Sequence, residues 1–267
     1  MTTEDAPRRG AHFVQSLERG LTVIRAFSAE RPSMTLSEVA RATDLTRAAA
    51  RRFLLTLVDL GYVRTDGRMF CLTPRVLELG YAYVASAGLP DVAQPHLEDL
   101  SQRVRESASV SVMEGDDVLY VARVATSRIM AVAITVGTRF PAAATSMGRV
   151  LLAGLGEAAL TGYLDRVELP SLTRFTITDT ARLRSEILKV REQGYAIVDQ
   201  ELEEGLRSLA APIRDTDGKV IAAANVSAHA NRSSIDDVRR DLLPALLETT
   251  ARIEADLAAV ARRDATR

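Results

Sequence analysis

Between Phe13 and Ser28, apolar residues recur at Val14, Leu17, Leu21, Ile24 and Phe27, spacings of three and four that predict an amphipathic helix with this stripe turned to a core. Pro32 and Ser33 interrupt it. Thr35-Leu36-Ser37-Glu38 then reads as a capping box, in which the Thr35 hydroxyl meets the Glu38 amide and the Glu38 carboxylate reaches back, so a second helix runs from Leu36 to about Thr43. Thr46 caps a third, Arg47 to Leu60, with Ala49, Phe53, Leu57 and Leu60 as its inward face and Gly61 as its stop. Tyr62-Val63-Arg64 and Met69 to Leu72, joined through Asp66-Gly67, read as a short hairpin. Helix, short turn, helix and hairpin in that order make a winged helix-turn-helix.

Thr73-Pro74 opens a further helix, apolar on more than one side through Val76, Leu77, Leu79 and Tyr83, and the pattern breaks at Ala87-Gly88-Leu89-Pro90. Such a helix is expected to pair with its copy in a second chain. Beyond it the sequence predicts a helix over 95–105, strands over 108–114, 118–124 and 129–136, and a loop Gly137-Thr138-Arg139-Phe140-Pro141. Helices follow over 146–155, 157–165 and 180–192, then strands over 195–198, 208–213 and 220–226. A terminal helix over 234–261 carries Pro244 as a kink or restart. The class is α+β: an antiparallel sheet flanked by helices and interrupted by a loop-helix insertion, with room for a small ligand between sheet and insertion. The expected domains are a disordered tail over 1–12, the winged helix-turn-helix over 13–73, a linker helix over 74–90 and a ligand-binding domain over 91–263.

The chain has 267 residues, 47% hydrophobic and 26% charged, which excludes a disordered or fibrous class. No apolar run is long enough to cross a bilayer and the N-terminal residues lack an apolar core, so a cytoplasmic protein without membrane association is expected. A single cysteine, Cys71, and three scattered histidines offer neither an internal disulfide nor a zinc site, and no cofactor is expected. The net charge of −1 conceals an asymmetry: residues 1–88 carry 12 arginines against 9 acids, a net +3, and the remainder is acidic.

That basic excess falls where a winged helix meets double-stranded DNA. Thr46, Arg47, Arg51 and Arg52 lie on faces of the third helix that the core does not need, Thr35 and Ser37 open the second helix, and Arg64 and Arg68 lie on the wing. Arginine forks suit guanine and phosphate; each residue alone can equally be a solvated surface group. Cys71 reads as a small apolar residue of the wing. In the second half, Thr145-Ser146 stands at a helix start, where free amides and the positive dipole end favour a carboxylate. Ser208, Asn225 and Ser227 interrupt apolar strands and need partners, a ligand or else backbone and buried water. Arg123 and Arg139 offer a counter-charge in principle but are read as facing solvent. Enzyme signals fail. Gly154-Leu155-Gly156-Glu157-Ala158-Ala159 follows a helical pattern instead of a strand, and Ala144-Thr145-Ser146-Met147-Gly148 lacks the first glycine of a nucleophile elbow.

Four blocks, Thr35 to Val63, Thr73 to Val84, GTRFPAAATSMGRVLLAGL (Gly137 to Leu155) and GLRSLAAPIRD (Gly205 to Asp215), resemble in the right order the IclR-type bacterial transcriptional regulators, over about residues 13 to 260. The linker and the ATSMGRVLLA block are most similar to the subgroup controlling the β-ketoadipate pathway, whose effectors are protocatechuate, 4-hydroxybenzoate or β-ketoadipate. The resemblance implies a non-enzymatic regulator: a winged-helix homodimer fused to a GAF-like effector domain, commonly a dimer of dimers, binding operator DNA and a small organic acid. Residue by residue, it places effector-binding positions at Thr145, Ser146, Met147, Asp199, Ser208, Asn225 and Ser227. Several members have Cys in place of Ser208 and Ser in place of Asn225. The alternatives are a member of the same family sensing a sugar acid or glyoxylate, and an enzyme that retains a DNA-binding appendage.

Overall fold

The computed structural model describes residues 12–28, 31–79, 88–126 and 134–264. They belong to two compact units, Met1–Ser86 and Ala87–Arg267.

In the first unit α1 (Gln15–Arg25) precedes β1 (Ser33–Thr35), α2 (Leu36–Ala42), α3 (Arg47–Asp59) and the hairpin β2 (Val63–Thr65) and β3 (Met69–Leu72). The capping box forms: the Thr35 amide donates to the Glu38 carboxylate at 2.7 Å and the Thr35 hydroxyl accepts from the Glu38 amide. Thr46 caps α3 by accepting from the Ala49 amide at 3.2 Å. Asp66 closes the wing turn by accepting from the amides of Arg68 and Met69, and Gly67 supplies the φ of +92° that the turn requires.

Three details differ from the sequence pattern. Ser33–Thr35, which begins in the break expected at Pro32 and Ser33 and ends on the cap residue of α2, is a strand antiparallel to β3, so the sheet has the order β1-β3-β2. The inward face of α3 is Ala50, Leu54 and Leu57, with Leu60 exposed; it shares Leu57 with the expected face and is turned from it by roughly 70°. The α1 stripe does not all turn inward: Val23 and Phe27 enter the core beside Leu54 and Val39, while Val14, Leu17 and Leu21 remain 57%, 63% and 47% exposed. The described residues of this unit do not bury those three.

Of the linker helix, Pro74–Leu77 forms a turn of 3-10 helix capped by Thr73; residues 80–87 lie outside the described residues. The first helix of the second unit, α4 (Leu89–Val104), starts well before the expected residue 95. Pro90 sits in its first turn, where the missing N–H costs no intrahelical bond, and Pro95 lies inside it.

The second unit is built on six antiparallel strands in the order β6-β5-β4-β9-β8-β7. They are β4 (Ser107–Glu114), β5 (Asp117–Val124), β6 (Arg139–Pro141), β7 (Ala196–Asp199), β8 (Leu206–Arg214) and β9 (Val220–His229). The strand expected over 129–136 falls largely outside the described residues, and its last residues, 134–136, are not strand. The edge strand next to β5 is instead Arg139–Pro141, expected as a loop, whose residues pair with Asp117 to Leu119. Three residues carry too little periodicity to be recognised before their partner is known.

Alternation along the strands buries both faces. One side, with Val110, Leu209, Ala211, Ala224 and Val226, packs against α4 and the terminal helix α8 (Leu243–Asp264). The other, with Val118, Tyr120, Ala196, Ala210 and Ala223, packs under α5 (Ser146–Ala153), α6 (Glu157–Arg166) and α7 (Thr180–Gln193). Before α8 the chain forms a helical turn, Ile235–Asp237, then a π-helical stretch, Val238–Leu242. The widened turn absorbs Pro244, whose ring and missing N–H a regular helix would not accept. The expected kink is therefore a change of helical pitch.

Candidate functional site

Exposed arginines gather on the first unit. Arg47 and Arg51 stand one turn apart on α3 and share a side of it, while Arg52 lies about 100° further round. There Arg52 borders a cleft of about 330 Å³ between α1 and α3, with Arg19, Phe53 and Thr56. Arg64 and Arg68 stand exposed on the wing. Among the described residues none of Arg47, Arg51, Arg52, Arg64 and Arg68 forms an ion pair, although Asp66 in the wing turn lies within electrostatic reach of Arg68. The predicted threonines have a different position in this surface. The hydroxyls of Thr35 and Thr46 are engaged as helix caps, and Ser37 is half-buried on α2. Such hydroxyls set helix ends, and with them the direction in which the arginines project.

On the second unit the N-terminus of α5 faces the sheet. Thr145 accepts from the Gly148 amide at 3.0 Å and donates to the Ala142 carbonyl at 3.3 Å, which fixes the helix start and leaves the first amides, at Ser146 and Met147, at its open end. Gly148 is required by packing: a Cβ there would lie 2.1 Å from the Ala142 carbonyl oxygen, so no other residue lets α5 seat this closely.

Thr145 and Ser146 on α5, Ser208 on β8 and Asn225 and Ser227 on β9 line a single cavity with Tyr120, Ile134, Val198, Leu202 and Leu206. The structure thus brings five sequence-predicted residues to one place. Its free volume is about 10 Å³, room for one water-sized molecule. Two buried polar atoms in its wall have no partner: Ser146 Oγ, on a residue 1% exposed, and Asn225 Oδ1, on one 3% exposed. The Asn225 amide nitrogen donates to Ser227 Oγ at 3.1 Å, so the orphan oxygen calls for an outside donor. No carboxylate lines the cavity among the described residues, and an anion entering it meets the positive end of α5 without a local repulsion. Burial pushes the Tyr120 phenol up to about 12, which keeps it a neutral group.

Met147 and Asp199 are not among the lining residues. Met147 is directed into the core, its sulfur accepting from the Ser111 hydroxyl at 3.2 Å. Asp199 follows Val198 on β7, so alternation turns it to the opposite face. There it holds Arg207 in a two-pronged ion pair at 2.9 and 2.8 Å, and Arg207 also donates to the Ser233 carbonyl. Arg139, as expected, lies at the surface, paired with Asp117. Arg123 does not: it is half-buried, and its Nη1 donates to Ser109 Oγ at 3.0 Å.

Sequence reasoning passed over the covering loop. Residues 200–205 carry Leu202 over the cavity, with left-handed backbone at Gln200 (φ +62°) and Gly205 (φ +85°) at its two ends. Glu201 fastens it: its carboxylate accepts from Arg149 Nη2 on α5 at 2.5 Å and from the Ile177 amide at 3.2 Å. Arg149 Nε also donates to the Ala143 carbonyl, and Thr173 and Thr176 donate to the carbonyls of Gln200 and Glu201. The signal was present as one arginine in the otherwise apolar helix SMGRVLLA, 3% exposed in the fold. The glycine pattern at Gly154 has a packing cause, since a Cβ there would meet Val220 at 2.6 Å.

Two family profiles match the chain: the IclR helix-turn-helix domain over residues 16–67 and the bacterial transcriptional regulator IclR C-terminal domain over residues 81–255. The Pca regulon regulatory protein of Pseudomonas putida is 46% identical over 236 residues, 88% of this chain and 81% of that protein. Among solved structures, a transcriptional regulator of Rhodococcus sp. RHA1 is similar at 59% identity and a TM-score of 0.84, covering 93% of this chain and all of that one. An IclR homolog of Microbacterium hydrocarbonoxydans complexed with 4-hydroxybenzoate is similar at 29% identity and a TM-score of 0.81, over 91% of this chain and 99% of its own.

Proposed function

The chain belongs to the IclR family of bacterial transcriptional regulators, and from that premise we propose that it controls genes of aromatic-acid catabolism by binding a hydroxylated aromatic carboxylate in the cavity under α5. The observation that carries the reading is the pair of orphaned polar atoms, Ser146 Oγ and Asn225 Oδ1, on residues that line one cavity at a helix N-terminus. A buried unsatisfied polar atom costs about 1–3 kcal/mol, which a ligand that answers it returns as affinity. The carboxylate belongs at the amides of Ser146 and Met147. A ligand hydroxyl belongs at Asn225, whose oxygen needs a hydrogen. Ser208, Ser227 and Thr145 complete the polar wall, and Met147 and Asp199 act from behind it.

The operator-binding surface is α3 with the wing. Arg47, Arg51 and Arg52 reach base edges or phosphates, and Arg64 and Arg68 the adjoining backbone, with Thr35, Ser37 and Thr46 at the helix starts that orient them. The active species is a homodimer, assembling further as a dimer of dimers; the uncovered Val14, Leu17 and Leu21 on α1 support pairing with a second copy. It works in the cytoplasm and turns nothing over. No described helix is long and apolar enough to cross a membrane. An effector that binds two arrangements of the protein unequally shifts operator affinity, and a tenfold shift needs about 1.4 kcal/mol.

Calorimetry with 4-hydroxybenzoate and 3,4-dihydroxybenzoate, paired with gel shifts on the operator, tests this. Saturable binding that changes operator affinity, weakened in Ser146→Ala by about 1 kcal/mol, is the expected result. Product formation from either acid, or Ser146→Ala and Ser227→Ala both binding as the wild type does, would sink it.

A further inference from the structure

From Asn225 in the cavity wall a row of polar residues runs across the sheet to Ser109 and Arg123, which are not among the lining residues. Asn225 on β9 is in register with Ser109 on β4, and Ser109 is in register with Arg123 on β5. The three share the sheet face that carries the cavity: Ser109 and Asn225 alternate from Ser111 and Ala223, and the bulge opposite Val110 and Ser111 brings Arg123 to the side of Tyr120. Ser109 is fully buried and accepts from Arg123 Nη1 at 3.0 Å.

Arg123 itself is an anomaly in this unit. It is half-buried, it is paired with no carboxylate among the described residues, and its Nε is buried without any acceptor. Other arginines that this unit draws inward each hold an acid: Arg149 holds Glu201 and Arg207 holds Asp199. Burial lowers Arg123 from its ordinary value, yet a guanidinium stays charged, so the row ends in a partly desolvated cation with a donor to spare. A charge in that position is costly unless something answers it. At the other end of the same row, the Asn225 oxygen lacks a donor.

We propose that Arg123 is a specificity-determining residue, donating to the oxygen of a hydroxyl group that the effector carries at the end opposite its carboxylate. A hydroxyl answers both ends of the row, because its oxygen accepts from the guanidinium while its hydrogen serves an acceptor such as the Asn225 amide oxygen. A plain hydrocarbon edge answers neither. This inference rests on the effector cavity proposed above and adds the residue that distinguishes a ring hydroxyl from a ring hydrogen.

The test measures 4-hydroxybenzoate and benzoate binding by calorimetry on wild type, Arg123→Gln, Arg123→Lys and Ser146→Ala, with the thermal midpoint of each protein recorded. Arg123→Gln is expected to weaken 4-hydroxybenzoate by about tenfold, some 1.4 kcal/mol, while leaving benzoate within about twofold of wild type. Arg123→Lys, which keeps a cationic donor, recovers part of the loss, whereas a purely structural role through Ser109 would weaken benzoate as much as 4-hydroxybenzoate. Equal weakening of both acids, or of neither, overturns the role of Arg123 even when Ser146→Ala weakens both. A wild-type protein that binds neither acid, or a Ser146→Ala variant that binds both unchanged, overturns the cavity itself.

Discussion

In the N-terminal unit Arg47, Arg51, Arg52, Arg64 and Arg68 stand exposed and form no ion pair among the described residues, whereas in the C-terminal unit Arg103, Arg139, Arg166, Arg184, Arg191 and Arg252 each hold a carboxylate of their own chain. Exposed pairs of the second kind contribute little to stability, so the contrast concerns fields and partners more than folding. Cations neutralised at home cast a weak potential. A cluster left open attracts phosphate over a Debye length and exchanges counterions for it. The near-zero net charge of the whole chain hides this division, and a reading by unit restores it.

The comparison breaks most visibly where a C-terminal arginine is buried as well as paired. Arg149→Met leaves Glu201 charged, 8% exposed and without its arginine, and is expected to destabilise the second unit by about 3–5 kcal/mol in urea unfolding. On the open side, Arg51→Ala or Arg52→Ala should leave the urea midpoint unchanged and cost about 1–3 kcal/mol of operator affinity if the residue reads a base. A phosphate contact instead lowers the salt slope of binding by about one. Unchanged gel-shift affinity and slope in both variants would remove α3 from the interface.

Smaller still is Thr46→Ala, which loses the α3 cap and about 1 kcal/mol of stability; Thr46→Asp keeps the cap while adding a negative charge. If Thr46→Asp folds as wild type does and still binds DNA poorly, the charge of the surface is the cause and not the fold. The smallest effect concerns Glu106, whose carboxyl burial pushes above the usual range, with Arg232 and His229 pulling it partly back. Ionised Glu106 therefore burdens the native state at pH above its raised value, and the burden vanishes once pH falls below the unfolded value. Glu106→Gln should raise the thermal midpoint near pH 7.5 and converge with wild type in mild acid. A gap that is constant with pH would assign the effect to something other than titration.

Local signals made much of the molecule legible. Caps at Thr35, Thr46 and Thr145, and the turn at Asp66-Gly67, announce helix starts and a hairpin through chemistry confined to four residues. The antiparallel sheet with flanking helices followed from their order. What stayed hidden depends on partners distant in sequence. β1 and β6 are three residues each and exist because β3 and β5 pair with them. The outward turn of Val14, Leu17 and Leu21 was invisible because periodicity reports a stripe without saying what covers it. In the cavity, the polar interruptions Ser208, Asn225 and Ser227 were readable as such, whereas the apolar wall of Tyr120, Val198 and Leu206 looks like any strand. Arg123 was taken for a solvent-facing arginine since nothing in its neighbours along the chain reveals Ser109 across the sheet.

The bond between Arg149 and Glu201 has one more consequence. It ties the strip of chain that carries Leu202 to the helix whose N-terminus borders the same cavity. The ring of the proposed effector exceeds a free volume of about 10 Å³, so seating it asks the strip and the helix to shift, and the bond makes them shift together.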